Sequence, residues 1–271
     1  MRYTIFGGNG FIGKALSGRL VRDGHDVVVP NRDMGNLSSE DLGHVYYCIG
    51  LTADFRSRLL DTVDAHVCQL TKVLKTYKFD SFTYLSSTRV YKNCKDVNIS
   101  EDSSLSVNPN EVDDLYNISK LLGESMCLAQ PTSSVKVVRL SNVVGPDFMS
   151  SNFLNTLIVQ ALEEGKIELK TSVNSEKDYI LLEDVIDMLI KVPFGKRRLY
   201  NICSGINTST QELLKEISNH IKFELNENCE DAFFFNKISY DYLRDEFDFV
   251  PRSVIDNIKN IINTYQNENN C

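Results

Sequence analysis

Tyr3-Thr4-Ile5-Phe6-Gly7-Gly8-Asn9-Gly10-Phe11-Ile12-Gly13 decides how this chain folds. Four β-prone residues run straight into a glycine loop. Phe11, Ile12, Ala15, Leu16 and Leu20 then recur at helical spacing. A strand, a tight turn and a helix therefore follow one another. In that setting Gly7 turns the chain, Gly10 lets backbone amides approach a pyrophosphate, and Gly13 lets the helix pack closely on the strand. The flanking strand and helix separate this loop from an ordinary glycine-rich turn. Gly7, Asn9, Gly10, Phe11, Ile12 and Gly13 are thus the candidate dinucleotide-binding set.

Outward from the loop, apolar runs alternate with helical stretches. Strands are expected at 3–6, 26–30, 44–49, 80–86, 135–141 and 199–203. Helices are expected near 11–22, 57–76, 114–128, 152–165, 183–191 and 209–221. Such alternation reads as a parallel sheet covered on both faces. Only about a dozen residues separate Arg32 from the strand at His44, too few for the usual further helix and strand. The polar, acidic segment from Asp96 to Asp114 reads as a loop near the mouth of a site or as a solvated connector, and the asparagine-rich tail from Ile261 to Cys271 is expected to fray.

Composition sets the class. With 271 residues, 42% of them apolar, the chain is long enough to bury a full core. The net charge of -8 argues against nucleic acid or an anionic membrane as partner, so an anionic substrate has to be met by local cations. Seven cysteines, with no CxxC pair, read as reduced thiols rather than metal ligands or bridges, and no metal site is expected. No signal peptide or membrane-length apolar run is visible, which points to a cytoplasmic protein.

The second informative stretch is Tyr116-Asn117-Ile118-Ser119-Lys120, downstream of Ser86-Ser87. On a helix, residues four apart share a face with a rise of about 6 Å between them. Tyr116 and Lys120 can face one site. A phenol there can pass a proton to or from a carbonyl or alcohol oxygen, a nearby ammonium lowers its pKa, and a serine from another element can hold the same oxygen.

Further motifs follow in order: Tyr84-Leu85-Ser86-Ser87-Thr88-Arg89-Val90-Tyr91, Gly123-Glu124, Arg139-Leu140-Ser141-Asn142-Val143-Val144-Gly145-Pro146, Lys177-Asp178-Tyr179-Ile180 and Tyr200-Asn201-Ile202-Cys203-Ser204-Gly205. Together they resemble the extended short-chain dehydrogenase/reductase family, in its nucleotide-sugar epimerase, dehydratase and reductase branch. The resemblance implies an α/β fold, a Rossmann-type doubly wound parallel sheet with a smaller interleaved substrate lobe. Residues 1–145, joined by about 180–205, would bind the dinucleotide; 146–179 and 206–271 would form the lobe. It implies catalytic roles for Ser87, Tyr116 and Lys120, with Tyr116 and Lys120 also meeting the cofactor. Thr88 takes the serine's part if the turn is shifted by one. Asn142 and Lys177 would contact the substrate together with Ser87 and Thr88, although a strand-end cap and a solvated charge are the plainer readings of Asn142 and Lys177. His66 falls near a family asparagine that faces the cofactor, and otherwise reads as structural. A homodimer through the helices at 57–76 and 114–128 is also implied.

The same resemblance narrows the reaction. Where NAD-using relatives carry an acidic residue after the second strand, this chain has Asn31-Arg32, which removes repulsion toward a 2′-phosphate and offers it a guanidinium. NADP is therefore expected, with NAD as the alternative. Thr88-Arg89 replaces the dehydratases' carboxylate pair, which disfavours dehydration, and the cysteine and histidine of multi-centre epimerases are missing. NADPH-dependent reduction of a keto-sugar nucleotide of the 4-keto-6-deoxy type, in carbohydrate biosynthesis, is the expectation. NAD-dependent 4-epimerisation is the alternative, followed by reduction of a non-sugar carbonyl or non-catalytic dinucleotide binding.

Overall fold

The computed structural model describes residues 1–34, 37, 41–51, 55–146, 152–227 and 231–269; Thr52, Cys229 and Cys271 lie outside them. The first half runs β1 (Arg2–Phe6), α1 (Phe11–Arg22), β2 (Asp26–Val28), β3 (His44–Tyr47), α2 (Leu59–Val63), α3 (Gln69–Thr76), β4 (Ser81–Ser87), β5 (Asn98–Ile99), α4 (Asp114–Leu128) and β6 (Val135–Leu140). It continues with β7 (Asn142–Val144), α5 (Phe153–Glu163), β8 (Lys166–Leu169), β9 (Glu176–Leu181), α6 (Leu182–Lys191) and β10 (Leu199–Ile202). β11 (Asn207–Ser209), α7 (Thr210–Ser218), β12 (Glu224–Glu227), β13 (Lys237–Ile238), α8 (Asp241–Phe247) and α9 (Val254–Asn269) complete it.

The central sheet has six strands in the order β10-β6-β4-β3-β1-β2. Every pairing in it is parallel. Period-two alternation sends Ile5, Tyr46, Val138 and Leu140 to one face, under α1 and α6, and Phe6, Tyr47, Val135 and Val137 to the other, under α3 and α4. That two-sided burial is why the strands read as nearly continuous apolar runs. The doubly wound α/β architecture expected from the sequence is the one observed. β2 is the edge strand: no further strand lies beyond it among the described residues. Met34 and Leu42, with half-buried Leu37, fill the core under this face instead.

A second core gathers around Leu157, Ile158, Ile167, Tyr179, Leu213 and Ile258, between α5, α7, α9 and the sheet β11-β9-β7. These short strands escaped the sequence reading. The tail is also corrected: Ile261 and Ile262 are buried in this core and Tyr265 is buried beyond them, so α9 runs on to Asn269 rather than fraying at Ile261. α8 and Phe249 pack on the first core, through Leu243. The segment from Asp96 to Asp114 is not a mere connector, since β5 pairs with β13 and Glu101 accepts a 2.7 Å hydrogen bond from the Asn201 amide. Among the described residues, no helix is long and apolar enough to cross a membrane.

One buried network ties helix α4 to the sheet. Arg139 on β6 reaches the Glu124 carboxylate at 2.6 Å and donates to the Tyr91 hydroxyl at 2.7 Å, which in turn donates to Asn201 at 2.8 Å. Ser86 donates to the same carboxylate. Both charged side chains are 3–4% exposed. Removing one partner of such a pair strands the other in low dielectric. Arg139→Leu should therefore lower unfolding free energy by about 3–5 kcal/mol, read as a fall in the urea midpoint. The double change Glu124→Leu with Arg139→Leu should cost clearly less than either single change.

Candidate active site

The strand order reverses between β1 and β3, and the glycine loop lies at that switch point, beyond the carboxyl ends of the strands. Two approaches there leave no room for a side chain. A Cβ on Gly13 would lie 2.3 Å from the Gly7 carbonyl oxygen, and one on Gly7, whose φ is +77°, would lie 2.9 Å from the backbone of Cys48 and Ile49. Asn9 and Gly10 are exposed, Phe11 and Ile12 half-buried. The twelve-residue helix α1 starts at Gly10 with no side-chain cap and no acid in its first turn. Its free amides and positive dipole end suit a phosphate group, so the residues present fit a dinucleotide.

Tyr116, Lys120 and Ser87 come together at the same end of the sheet. The Tyr116 phenol is buried, and the Ser87 hydroxyl is near enough to bear on its ionisation. Burial pushes the phenol's pKa up, while the Ser87 hydroxyl and the Arg89 guanidinium pull it back down. Arg89 lies with its Cζ 5.9 Å from the Tyr116 ring centre. Thus the cation acting on the phenol is Arg89, where the sequence pointed to Lys120. The Lys120 ammonium is buried, donates to the Leu85 carbonyl at 2.9 Å, and is pushed down to about 8 by desolvation, with Glu124 and Cys48 opposing. Thr88 is buried in the turn after β4.

His66 is fully buried in a π-helical turn between α2 and α3. Ser119 donates its hydroxyl hydrogen to the Tyr116 carbonyl at 2.8 Å, so it accepts from His66 Nδ1, also at 2.8 Å. The ring is then neutral with Nε2 as a free acceptor, in keeping with a pKa driven down to about 2 by burial and by Lys120. Nε2 and the Lys120 ammonium converge on exposed Gly50, at 3.2 and 3.3 Å from where its Cβ would be.

The remaining candidates are spread around this centre. Asn31 and Arg32 are exposed beyond β2, next to Val29, whose side chain packs on Gly8. Asn142 donates to the Asp178 carbonyl at 2.8 Å, stapling β7 to β9 as a strand-end cap. Lys177 is half-buried, with its ammonium 5.2 Å from the Phe153 ring, and desolvation by burial followed by Arg89 and Arg56 lowers its pKa. Phe55, Arg56 and Asp113 were not singled out in the sequence. Phe55 sits 5.0 Å from the Tyr116 ring, and Asp113 holds Arg56 at 2.6 and 2.7 Å and Arg89 at 3.1 Å. Only the departure at Thr88-Arg89 signalled this group.

Residues 3–203 match the model of the NAD dependent epimerase/dehydratase family. The chain belongs to that family. Among solved structures it is similar to MoeE5 in complex with UDP-glucuronic acid and NAD, at 18% identity and a TM-score of 0.82, covering 99% of this chain and 100% of that one. RMD from Pseudomonas aeruginosa complexed with NADPH gives 19% identity and a TM-score of 0.80, covering 98% and 100%. UDP-glucose 4-epimerase from Thermotoga maritima with UDP-glucose gives 16% and 0.79, covering 99% of both chains. At these identities the likeness is one of fold.

Lys120 makes the stability of the fold respond to alkali in a definite direction. Its pKa is about 8 folded, against 10.5 as the ordinary value. Between these values the unfolded chain binds more protons, so this group raises stability as pH climbs through that window. Measured against a Lys120→Met variant, unfolding free energy of the unaltered protein should gain about 3 kcal/mol from pH 8 to 10.5. A flat difference would show that Lys120 is charged at its ordinary strength.

Proposed function

We propose that this protein reduces the carbonyl of a keto-sugar nucleotide at carbon 4 with NADPH. The observation that carries the reading is the meeting of the Tyr116 and Ser87 hydroxyls beside the glycine cradle, with buried Lys120 behind them. A nicotinamide dinucleotide bound in the cradle supplies the hydride. Ser87 holds the substrate oxygen, and Tyr116 gives it a proton as negative charge develops. Arg89 favours the phenolate that remains. Lys120 spends one donor on Leu85 and keeps the others for the ribose hydroxyls. Gly7, Asn9, Gly10, Phe11, Ile12 and Gly13 take the pyrophosphate, Lys177 and Thr88 face the substrate, and the second core carries it.

Tyr116→Phe removes only a hydroxyl. It should leave cofactor affinity near that of the unaltered protein and lower turnover by about 10² to 10⁴; unchanged turnover would mean that the proton comes from elsewhere. For the cofactor, exposed Arg32 beside Asn31 supports NADPH. Loss of one charge-assisted contact costs about ten- to a hundredfold in affinity. Arg32→Ala should therefore weaken NADPH by that much and NADH little, by fluorescence titration. Equal affinities for both cofactors in the unaltered protein would favour 4-epimerisation with NAD, which the same three side chains can serve.

A homodimer belongs to the same reading. The stripe Leu59, Val63, Val67 and Leu74 is half-buried, while Leu60 is 83% exposed and Leu122 on α4 is 48% exposed. Pairing α2–α3 and α4 with a second copy would cover them. Light scattering at micromolar concentration should give twice the 30.8 kDa chain mass, and a monomer would count against this arrangement.

A further inference from the structure

Beside the phenol stands an unbalanced group of cations. Asp113 is paired with Arg56 and Arg89, and lies 4.0 Å from Lys92. Among the described residues it is the only carboxylate these three meet. Arg56 and Arg89 both lie against the Phe55 ring, with Cζ 4.7 and 5.1 Å from its centre. Lys177 feels both guanidinium charges and has no ion-pair or hydrogen-bond partner among the described residues. The Nε of Arg89 is buried and donates to no group among the described residues. A chain of net charge -8 thus concentrates positive charge and an orphaned donor at one point of its surface. An unpaired buried donor is costly unless a ligand supplies the acceptor.

We infer that Arg89, with Lys177 and Arg56 beyond it, recognises an acidic substituent on the sugar ring itself, making the substrate the nucleotide of an acidic sugar such as a uronic acid. This rests on the nucleotide-sugar reading above and narrows it. The ring position follows from chemistry. In a nucleotide hexopyranose the diphosphate is on carbon 1, across the ring from carbon 4. Tyr116 and Ser87 hold the oxygen of carbon 4 in that reading, and Arg89 is two residues beyond Ser87, with its own amide hydrogen-bonded to the Ser87 hydroxyl at 3.2 Å. Its guanidinium therefore faces the neighbours of carbon 4, where carbon 5 of a uronic acid carries a carboxylate. A planar fork suits that group. The methyl of a 6-deoxy sugar, the substrate type expected from the sequence, would leave Nε with no acceptor.

The test is equilibrium binding by calorimetry to the protein saturated with NADP, comparing UDP-glucuronate with UDP-glucose, GDP-mannuronate with GDP-mannose, and the free nucleoside diphosphates. In one nucleotide series the acid should bind about ten- to a hundredfold more tightly than its neutral partner. Arg89→Met, which keeps an apolar stem against Phe55, should bring that ratio within about threefold while leaving the free diphosphate's affinity in place. Arg89→Lys should keep part of the preference, which guards against a fold-wide effect of the methionine. Equal binding of acid and neutral sugars overturns the inference and leaves the nucleotide-sugar reading standing. So does a Met variant that weakens the free diphosphate as much as the acid, since the guanidinium would then be on the phosphates. If no nucleotide sugar or diphosphate binds, both readings fall.

Discussion

The buried ion pair between Glu124 and Arg139 is the constraint on which the site depends. Tyr116, Lys120 and Glu124 stand at successive i, i+4 positions of α4, on the face turned to the sheet. Glu124 is the anchored member: it takes Arg139 from β6 and Ser86 from β4. Once it is held, the rotation of the helix is set, and Lys120 and Tyr116 have to point where they do. Gly123 makes the approach feasible. A Cβ there would lie 2.4 Å from the Tyr84 hydroxyl and 3.0 Å from the His66 carbonyl. One glycine therefore lets α4 settle against both the sheet and the preceding helix.

The electrostatics follow from that burial. Lys120 is desolvated by the same packing that positions it, and Glu124 recovers only part of its charged-state stability. Its ammonium is committed to the Leu85 carbonyl at the end of β4 rather than to the phenol four residues earlier. Arg89 is the cation whose charge bears on the phenol, and it reaches it from outside the helix, in the turn after β4. The division is chemically sensible. A cation that is part of the helix face is tied to the fold, whereas the one on the turn lies against both the Tyr116 and Phe55 rings.

Much of this was legible in the sequence wherever a local rule is strong. The glycine loop was readable because Gly7 and Gly13 answer to steric contacts under 3 Å that no other residue tolerates. The central strands were readable because burial on both faces leaves long apolar runs. β7, β9 and β11 were not, since strands of three to six residues carrying Asn142, Lys177 and Asp178 show neither a run nor clean alternation. The tail misled through composition. Asn263 and Asn267 lie outward, while Ile258, Ile261, Ile262 and Tyr265 recur at helical spacing and are buried. Arg89 was noticed only as a departure from a pattern, because its partners Phe55 and Asp113 are distant in sequence and meet only in the fold.

Asp178 explains how the second core is coupled to this centre. Its carboxylate, buried on β9, accepts from the amides of Ser204 and Gly205 at 2.9 and 2.7 Å and from the Ser204 hydroxyl at 3.0 Å, at the turn leaving β10 of the central sheet. Burial raises its pKa, and those hydrogen bonds from Ser204 and Gly205 lower it again. Gly205 sits there at a φ of +73°, a conformation that frees its amide to point at the carboxylate. The neighbouring residue on β9 is Lys177, which faces the Arg56–Arg89 group. A buried acid thus locks β9, the strand that carries Lys177, against the turn leaving β10 of the central sheet.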